Sequence, residues 1–200
     1  MKHIAVLLAV GLVVTGCSSK NQAQPPSTQT PAATSTSGPS PTATPCSVAG
    51  ASTKGVAEAG SGKQALLTDV RPGTSACPRV VFEFESAPPA SYSVEYRNPP
   101  FSNCGSGARV DKSSWGASAY LVFHSNAASG VDVGGPSFRA TYTKSKDIAV
   151  SSPVLRRIAE TCDFEGVLEW LIALDARHTF KVSKLGGPGR LVIDISAAPA

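Results

Sequence analysis

Short runs in which apolar and polar residues alternate fill the chain after Gly62. In the run Arg79–Glu85, the side chains of Val80, Phe82 and Phe84 occupy every second position. A period of two places such side chains on one face of a β-strand, which leaves the other face polar. The pattern therefore predicts strands that each bury one face.

The same alternation recurs between clusters of Gly, Pro, Asn and Ser, which are typical of turns. We predict strands at Ala65–Val70, Arg79–Glu85, Ser91–Arg97, Ser118–His124, Leu155–Glu160, Gly166–Leu174, Thr179–Leu185 and Leu191–Ile195. Strands at this spacing predict an all-β fold, a β-sandwich of about seven to nine strands with Greek-key-like connections.

Three segments need separate interpretation. The run Gly166–Leu174 is almost continuously apolar and also fits a helix, but its length and the flanking Gly166 and Arg177-His178 favour a strand buried on both faces. Residues 126–148 show no clear period, so we predict a long loop with at most one edge strand. Gly186-Gly187-Pro188-Gly189 lacks the lysine and the following helix of a phosphate loop, and it predicts a hairpin turn.

The N-terminus has the pattern of an export signal. Lys2 and His3 precede an uncharged apolar run, Ile4–Val14, which is too short to span a bilayer. Val14-Thr15-Gly16-Cys17 resembles the bacterial lipobox, in which a peptidase cuts before a lipid-modified cysteine. We therefore predict a signal peptide at 1–16 and lipidation of Cys17, which anchors the protein to the extracytoplasmic face of the cell membrane. The alternative is an ordinary secretory signal with an incidental cysteine.

Residues 17–45 follow as a segment rich in Ser, Thr and Pro, with Lys20 as its only charge. Such a composition cannot bury enough apolar surface to offset the entropy of ordering. We predict a disordered linker that holds the folded part away from the membrane.

Residues 46–200 have the usual length of one domain. Of the eighteen Lys and Arg, Lys2 and Lys20 lie outside it, so sixteen bases face fourteen acids and the net charge is +2. Bases scattered among nearly as many acids do not indicate a nucleic-acid partner.

Four cysteines remain if Cys17 carries lipid: Cys46, Cys77, Cys104 and Cys162. An even number in an oxidising compartment predicts two disulfides, and the absence of a Cys-x-x-Cys pair argues against a zinc or redox site. Three pairings are open. We favour Cys46–Cys77 with Cys104–Cys162, because Cys46 begins a polar, Gly-rich leader that needs attachment to the domain.

Seven segments follow one another in a recognisable order: Leu67–Gly73, Arg79–Phe84, Tyr92–Tyr96, Gly105-Ser106-Gly107, Asp163–Val167, Phe180-Lys181-Val182 and Arg190–Ile195. Taken in this order, they resemble the AMIN-like domain of actinobacterial lipoproteins. The chain departs from the family pattern before Arg79, where Ala76-Cys77-Pro78 replaces an aromatic residue and an acid. The resemblance implies a β-sandwich and, by analogy with AMIN domains of cell-wall amidases, a non-catalytic module that binds peptidoglycan or another envelope polymer.

The chain offers little catalytic chemistry. His124 ends a predicted strand and His178 lies in a predicted polar turn, so both are interpreted as satisfied or solvent-facing imidazoles. Asp163 and Glu165 are more typical of a solvated turn than of an acid/base pair. Neither Gly-x-Ser-x-Gly nor His-Glu-x-x-His occurs. We predict no enzyme, no cofactor and no metal site.

Arg71, Arg79 and Arg190 are the candidate ligand-binding residues, since they lie in the family-like segments and guanidinium groups suit carboxylate and phosphate. The alternative is that Arg79 and Arg190 pair with strand carboxylates such as Asp69 and Asp194. Trp115 and Trp170 are predicted core residues.

Three functions remain open at this point. The first is binding of an envelope polymer, and the second is an accessory role that holds an envelope enzyme or transporter. The third, carriage of a small apolar ligand, requires a cavity between the sheets.

Overall fold

The computed structural model describes residues 46–73 and 76–200, so the predictions for the signal peptide, Cys17 and the linker lie outside the described residues. Within these two ranges all regular structure is β-strand. The strands are β1 (Val56–Glu58), β2 (Ala65–Pro72), β3 (Arg79–Phe84), β4 (Tyr92–Tyr96), β5 (Ala119–Ser125), β6 (Ala128–Ser129), β7 (Val131–Asp132), β8 (Arg139–Ala140), β9 (Asp147–Ala149), β10 (Leu155–Phe164), β11 (Val167–Leu174), β12 (His178–Leu185) and β13 (Gly189–Pro199).

Two sheets pack face to face, which confirms the predicted β-sandwich. One has the strand order β1-β4-β5-β11-β10-β9 and the other β12-β13-β3-β2-β6, while β7 and β8 form a separate hairpin. The alternate residues Val80, Phe82 and Phe84 are fully buried between the sheets. Phe82 bridges the layers, with its ring centroid 4.5 Å from that of Phe123 and 6.1 Å from that of Trp170.

The eight predicted strands are all present as β2–β5 and β10–β13, with ends shifted by a few residues. The prediction for residues 126–148 is wrong, because four short strands, β6–β9, lie there. The leader also contains β1, which pairs with β4. Strands of two or three residues carry no measurable period, and only their partners across the sheet define them.

The 22-residue connection between β4 and β5, residues 97–118, lies over the outer face of the six-stranded sheet. We call it the covering loop. Its Phe101 and Trp115 pack with Tyr120 and Leu171 in a second buried cluster. This cover buries β11 on both faces, which explains the nearly continuous apolar run that the sequence shows there.

Both favoured disulfides are present. Cys46 is joined to Cys77 and Cys104 to Cys162, with Cα–Cα distances of 5.3 and 5.1 Å. The first attaches the leader, whose Cys46 carbonyl also accepts a hydrogen bond from Ala197 N–H. The second attaches the covering loop to β10.

The sandwich has two distinct ends. At the Cys46 end, β3 begins and β2 and β13 finish; at the opposite end, which we call the Ala65 end, β2 and β13 begin and β3 finishes. None of the described residues forms a helix that is long and apolar enough to cross a bilayer.

Candidate functional site

Arg71, Arg79 and Arg190 lie on one surface, the outer face of the five-stranded sheet, which we call the arginine face. They come from three adjacent strands, β2, β3 and β13. Their neighbours along each strand point inward to the core, as the period of two requires. Two buried valines, Val81 and Val192, are paired across β3 and β13 and form the centre of this face.

Strand register sets the neighbours of each arginine. Asp194 lies directly opposite Arg79 on β13, and Glu83 lies directly opposite Arg190. On the other side of β3, Asp69 pairs with Glu83. Side chains directly opposite one another on a sheet are within contact distance, so acids and bases interleave across this face.

Arg71 is held by two carboxylates. Its guanidinium donates to Asp69 Oδ2 at 2.7 Å and to Glu83 Oε2 at 3.0 Å. Lys144 donates to the other oxygen of Asp69, also at 2.7 Å. Burial raises the pKa of the Asp69 carboxyl, but the hydrogen bonds from Lys144 and Arg71 outweigh it, and the net pKa lies below the ordinary value. Asp69 is therefore a charged carboxylate at neutral pH.

Arg79 donates from Nε to Asp194 Oδ1. Its side chain lies across Gly73, where a Cβ atom would come within 2.8 Å of Arg79 Cδ. Glycine at that position therefore leaves room for the arginine to lie flat on the sheet.

Arg190 differs from both. Its Nε is buried and has no hydrogen-bond partner within the described part of the chain, and its guanidinium makes no ion pair there. The alternative that Arg79 and Arg190 pair with strand carboxylates thus holds for Arg79 with Asp194. Asp69 pairs with Arg71 instead.

The histidines have structural surroundings. His178 is fully buried at the start of β12, with Nδ1 3.0 Å from the Ala198 carbonyl and Nε2 2.9 Å from Asp175 Oδ1. The prediction that it lies in a polar turn is wrong, although both ring nitrogens have partners. His124 lies 3.3 Å from Glu169 Oε2 on the outer face of the six-stranded sheet.

The acidic pair around Phe164 does not form a two-carboxylate site. Asp163 accepts hydrogen bonds from Ser129 Oγ at 2.7 Å and from Gly130 N–H at 3.1 Å. Glu165 lies in the tight turn between β10 and β11, with φ of 51°, followed by Gly166 with φ of 79°. Two successive positive φ angles are the mark of a type I′ hairpin turn. The predicted turn is confirmed.

Both tryptophans are core residues, as predicted. Trp170 is fully buried between the sheets beside Phe82 and Tyr142, and Trp115 of the covering loop is buried against the outer face of the six-stranded sheet. Across residues 46–73 and 76–200, no group of three or more His, Cys, Asp or Glu side chains is placed to hold a metal ion.

Sequence reasoning missed two members of the arginine face, Glu83 and Lys144. Glu83 occupies a polar-face position of a predicted strand, and that alternation was the available signal. Lys144 lies in the segment without a period, and only the fold brings it to Asp69 across 75 residues.

The comparison with known families gives one match, and no significant match was found among curated proteins or among solved structures. A profile of the AMIN-like domain matches residues 65–197, which include all of β2–β12, most of β13 and the three arginines. That span is more than half of the chain and nearly all of the sandwich. The chain therefore belongs to the AMIN-like domain family.

Proposed function

We propose that this protein is a non-catalytic module of the cell envelope that binds peptidoglycan or another envelope polymer through the arginine face. Membership in the AMIN-like family supports an extracytoplasmic, non-enzymatic role. The observation that carries the choice of surface is Arg190, whose guanidinium makes no ion pair among the described residues although Glu83 lies directly opposite it on β3. A guanidinium that makes no ion pair can bind a carboxylate or phosphate group through two parallel hydrogen bonds.

The surrounding ion pairs define what the face can do. Arg71 and Arg79 are each more than a third exposed, so their outer N–H groups remain open to a ligand while Asp69, Glu83 and Asp194 hold the side chains in place. A preordered cation loses less entropy on binding than a mobile one. The buried Val81 and Val192 keep the centre of the face flat.

Sedimentation with purified sacculi tests this proposal. We expect Arg190→Gln to weaken binding of the full-length chain about tenfold, since a charge-assisted hydrogen bond is lost. Lys54→Gln removes one exposed charge just before β1 of the six-stranded sheet, from a residue that makes no ion pair in the described ranges, and it should leave binding unchanged. Equal binding by wild type and Arg190→Gln would remove the arginine face from the proposal.

We also propose that Cys17 is lipidated after removal of residues 1–16, which makes this a lipoprotein on the outer side of the cytoplasmic membrane. The support is the lipobox-like Val14-Thr15-Gly16-Cys17 and the apolar run before it. Mass spectrometry should find wild-type protein that begins at a Cys17 carrying acyl chains, and Cys17→Ala should carry none. A wild-type protein that still begins at Met1, or has an unmodified Cys17, would contradict the assignment.

A second candidate function, a subunit that holds an envelope enzyme or transporter, is favoured by a different observation. The exposed large apolar side chains are Val133, Phe138, Phe164 and Leu185. Phe164 and Leu185 flank turns at the Ala65 end, and the β7–β8 hairpin that carries Phe138 is ion-paired to Glu85 at that same end. Apolar side chains gathered at one end are typical of protein contacts.

Crosslinking in intact cells separates the two candidates. A protein partner should be lost on Phe138→Ser with Phe164→Ser, whereas sacculus binding should survive that double substitution, since neither residue lies on the strands of the arginine face. Loss of sacculus binding without loss of any protein crosslink would assign the Ala65 end to the polymer instead.

A further inference from the structure

The covering loop holds a second surface that the arginine face does not explain. Two shallow depressions, of about 590 and 340 Å³, lie side by side on it. Both are lined by Arg109, Val110 and Lys112, which form a ridge between them. The two depressions therefore share one wall, and we call them together the groove. It lies on the opposite side of the sandwich from the arginine face, because the covering loop packs on the six-stranded sheet.

A disulfide and several backbone hydrogen bonds outside the strand ladders hold the covering loop in place. Cys104 is joined to Cys162 of β10, and Cys104 N–H donates to the Thr161 carbonyl at 3.0 Å. Val110 N–H donates to the Phe101 carbonyl at 2.9 Å, and Asn103 N–H donates to the Ala108 carbonyl at 2.9 Å. Connections this long inside a domain are usually functional, and one fixed in advance loses little entropy when it binds.

Two cations on the ridge have no acidic partner. Neither Arg109 nor Lys112 makes an ion pair with any residue in the described ranges, and Arg109 is exposed. Asp111, between them, is the loop's only acid, and its Oδ1 accepts Ser113 N–H at 2.9 Å. Hydrogen bonds from Ser113 lower the pKa of Asp111, so it is charged and the ridge has a net charge of +1. An anionic ligand can therefore reach both cations while Asp111 remains bonded to its own loop.

A buried aromatic cluster lies beneath the groove, since Tyr120 and Phe101 contribute to its lining but are each less than a tenth exposed. Lys112 Nζ lies 5.6 Å from the centroid of the Tyr120 ring, and the Phe101 ring packs edge-on against Tyr120 at 5.2 Å. Ala117 and Val110 complete the lining. Cations above an apolar floor suit a ligand that carries both acid groups and a less polar ring face.

We propose that the groove on the covering loop binds an acidic saccharide chain, with acid groups on Arg109 and Lys112 and the less polar sugar faces along Val110. A chain is favoured over a small molecule because the site is open and extends to both sides of the ridge. The choice of a saccharide as the ligand rests on the proposed envelope function, whereas the choice of site rests on Arg109 and Lys112 of the covering loop. A protein with binding surfaces on opposite faces of the sandwich can hold two polymer strands at once.

Calorimetric titration of the full-length chain tests the site with defined probes. These are oligogalacturonate, which carries carboxylates, phosphorylated dextran, and neutral dextran of matched length. We expect wild type to bind at least one acidic probe more tightly than neutral dextran, with affinity that falls as salt rises. Arg109→Gln with Lys112→Gln should weaken that binding about tenfold or more. Whichever acidic probe binds identifies carboxylate or phosphate as the recognised group.

The matched control is Lys54→Gln with Lys63→Gln, which removes the same charge from residues that make no ion pair in the described part of the chain. Thermal unfolding of each variant verifies that it is folded. The proposal is overturned if both double variants bind alike, or if wild type binds neutral dextran as well as the acidic probes. Failure of the arginine-face proposal gives a distinguishable result. Arg190→Gln would then bind sacculi like wild type, while Arg109→Gln with Lys112→Gln would still weaken binding of the acidic probe in calorimetry.

Discussion

At the residue scale, the position of a carboxylate decides what each surface arginine does. Arg71 and Arg79 lie beside Asp69 and Asp194, and each makes an ion pair there while its side chain stays more than a third exposed. Arg190 lies opposite Glu83, but Glu83 is bonded to Arg71. This face holds three acids, Asp69, Glu83 and Asp194, and four bases, Arg71, Arg79, Lys144 and Arg190. Arg190 is the base that makes no ion pair among the described residues.

Asp69→Asn should lower the free energy of unfolding at pH 7 by about 0.5–1 kcal/mol, because the partners Arg71 and Lys144 are largely exposed and their ion pairs are screened. The folded pKa of Asp69 lies below its ordinary value, so its contribution is present above that value and is lost as pH falls through the folded pKa. Denaturant unfolding at several acidic pH values measures this. Glu165→Gln, in an exposed turn, is the control. If Asp69→Asn leaves the fall of unfolding free energy at acidic pH unchanged, the prediction is contradicted.

His178→Ala should cost about 2–4 kcal/mol of unfolding free energy. The imidazole is fully buried, and its loss leaves both a cavity and an unpaired Ala198 carbonyl. The half-exposed His124 provides the comparison, and His124→Ala should cost much less. Equal losses of unfolding free energy in His178→Ala and His124→Ala would mean that the burial of the imidazole does not determine the effect.

At the element scale, the length of a strand determined whether it could be predicted. The strands of five residues or more, β2–β5 and β10–β13, all follow predicted runs. The short β6–β9 lie in or at the end of residues 126–148, where hydrogen bonds to residues far away in the chain define the structure. Thr141 Oγ1, for example, donates to the Leu67 carbonyl across 74 residues. Such contacts leave no local pattern.

Removal of the Cys104–Cys162 bond by Cys104→Ser with Cys162→Ser should lower the free energy of unfolding by about 2–4 kcal/mol. The bond closes 58 residues, whereas Cys46–Cys77 closes 31. In the chain-entropy model the matched Cys46→Ser with Cys77→Ser variant therefore loses about 0.5 kcal/mol less. Urea unfolding under non-reducing conditions gives both numbers. An equal or larger loss of unfolding free energy in the Cys46/Cys77 variant would show that loop length does not control the effect.

At the scale of the whole molecule, the two sheets are closed along one edge by the segment that follows β8. Tyr142 packs edge-on against Trp170 at 5.5 Å, and Lys144 and Lys146 pair with Asp69 of one sheet and Glu160 of the other. Burial raises the pKa of Glu160 despite Lys146. This segment therefore joins the two sheets along one edge by an aromatic contact and two ion pairs.

The stability of the whole sandwich should fall between about pH 10 and 12. Burial raises the pKa of Tyr92 and of Tyr142 to about 12, above the ordinary 10.0. In that window the unfolded chain has lost these protons and the folded chain keeps them, so the free energy of unfolding decreases as pH rises. Tyrosinate absorbance and alkaline unfolding measure the effect, and Tyr142→Phe with Tyr92→Phe should flatten the slope. A wild-type absorbance change centred at pH 10 contradicts the prediction.

The sequence by itself determined the fold class, the eight long strands and the turns between them, because period and turn chemistry are local. Its ordered motifs also pointed to the family that the profile match shows. Tertiary structure decided which acids meet which bases, as in Arg71 with Asp69 and Arg79 with Asp194, and it decided that Arg190 stays unpaired. It also placed Arg109 and Lys112 on a groove with Tyr120 below. These outcomes depend on strand register and loop cover, which join residues far apart in the chain and therefore leave no local signature.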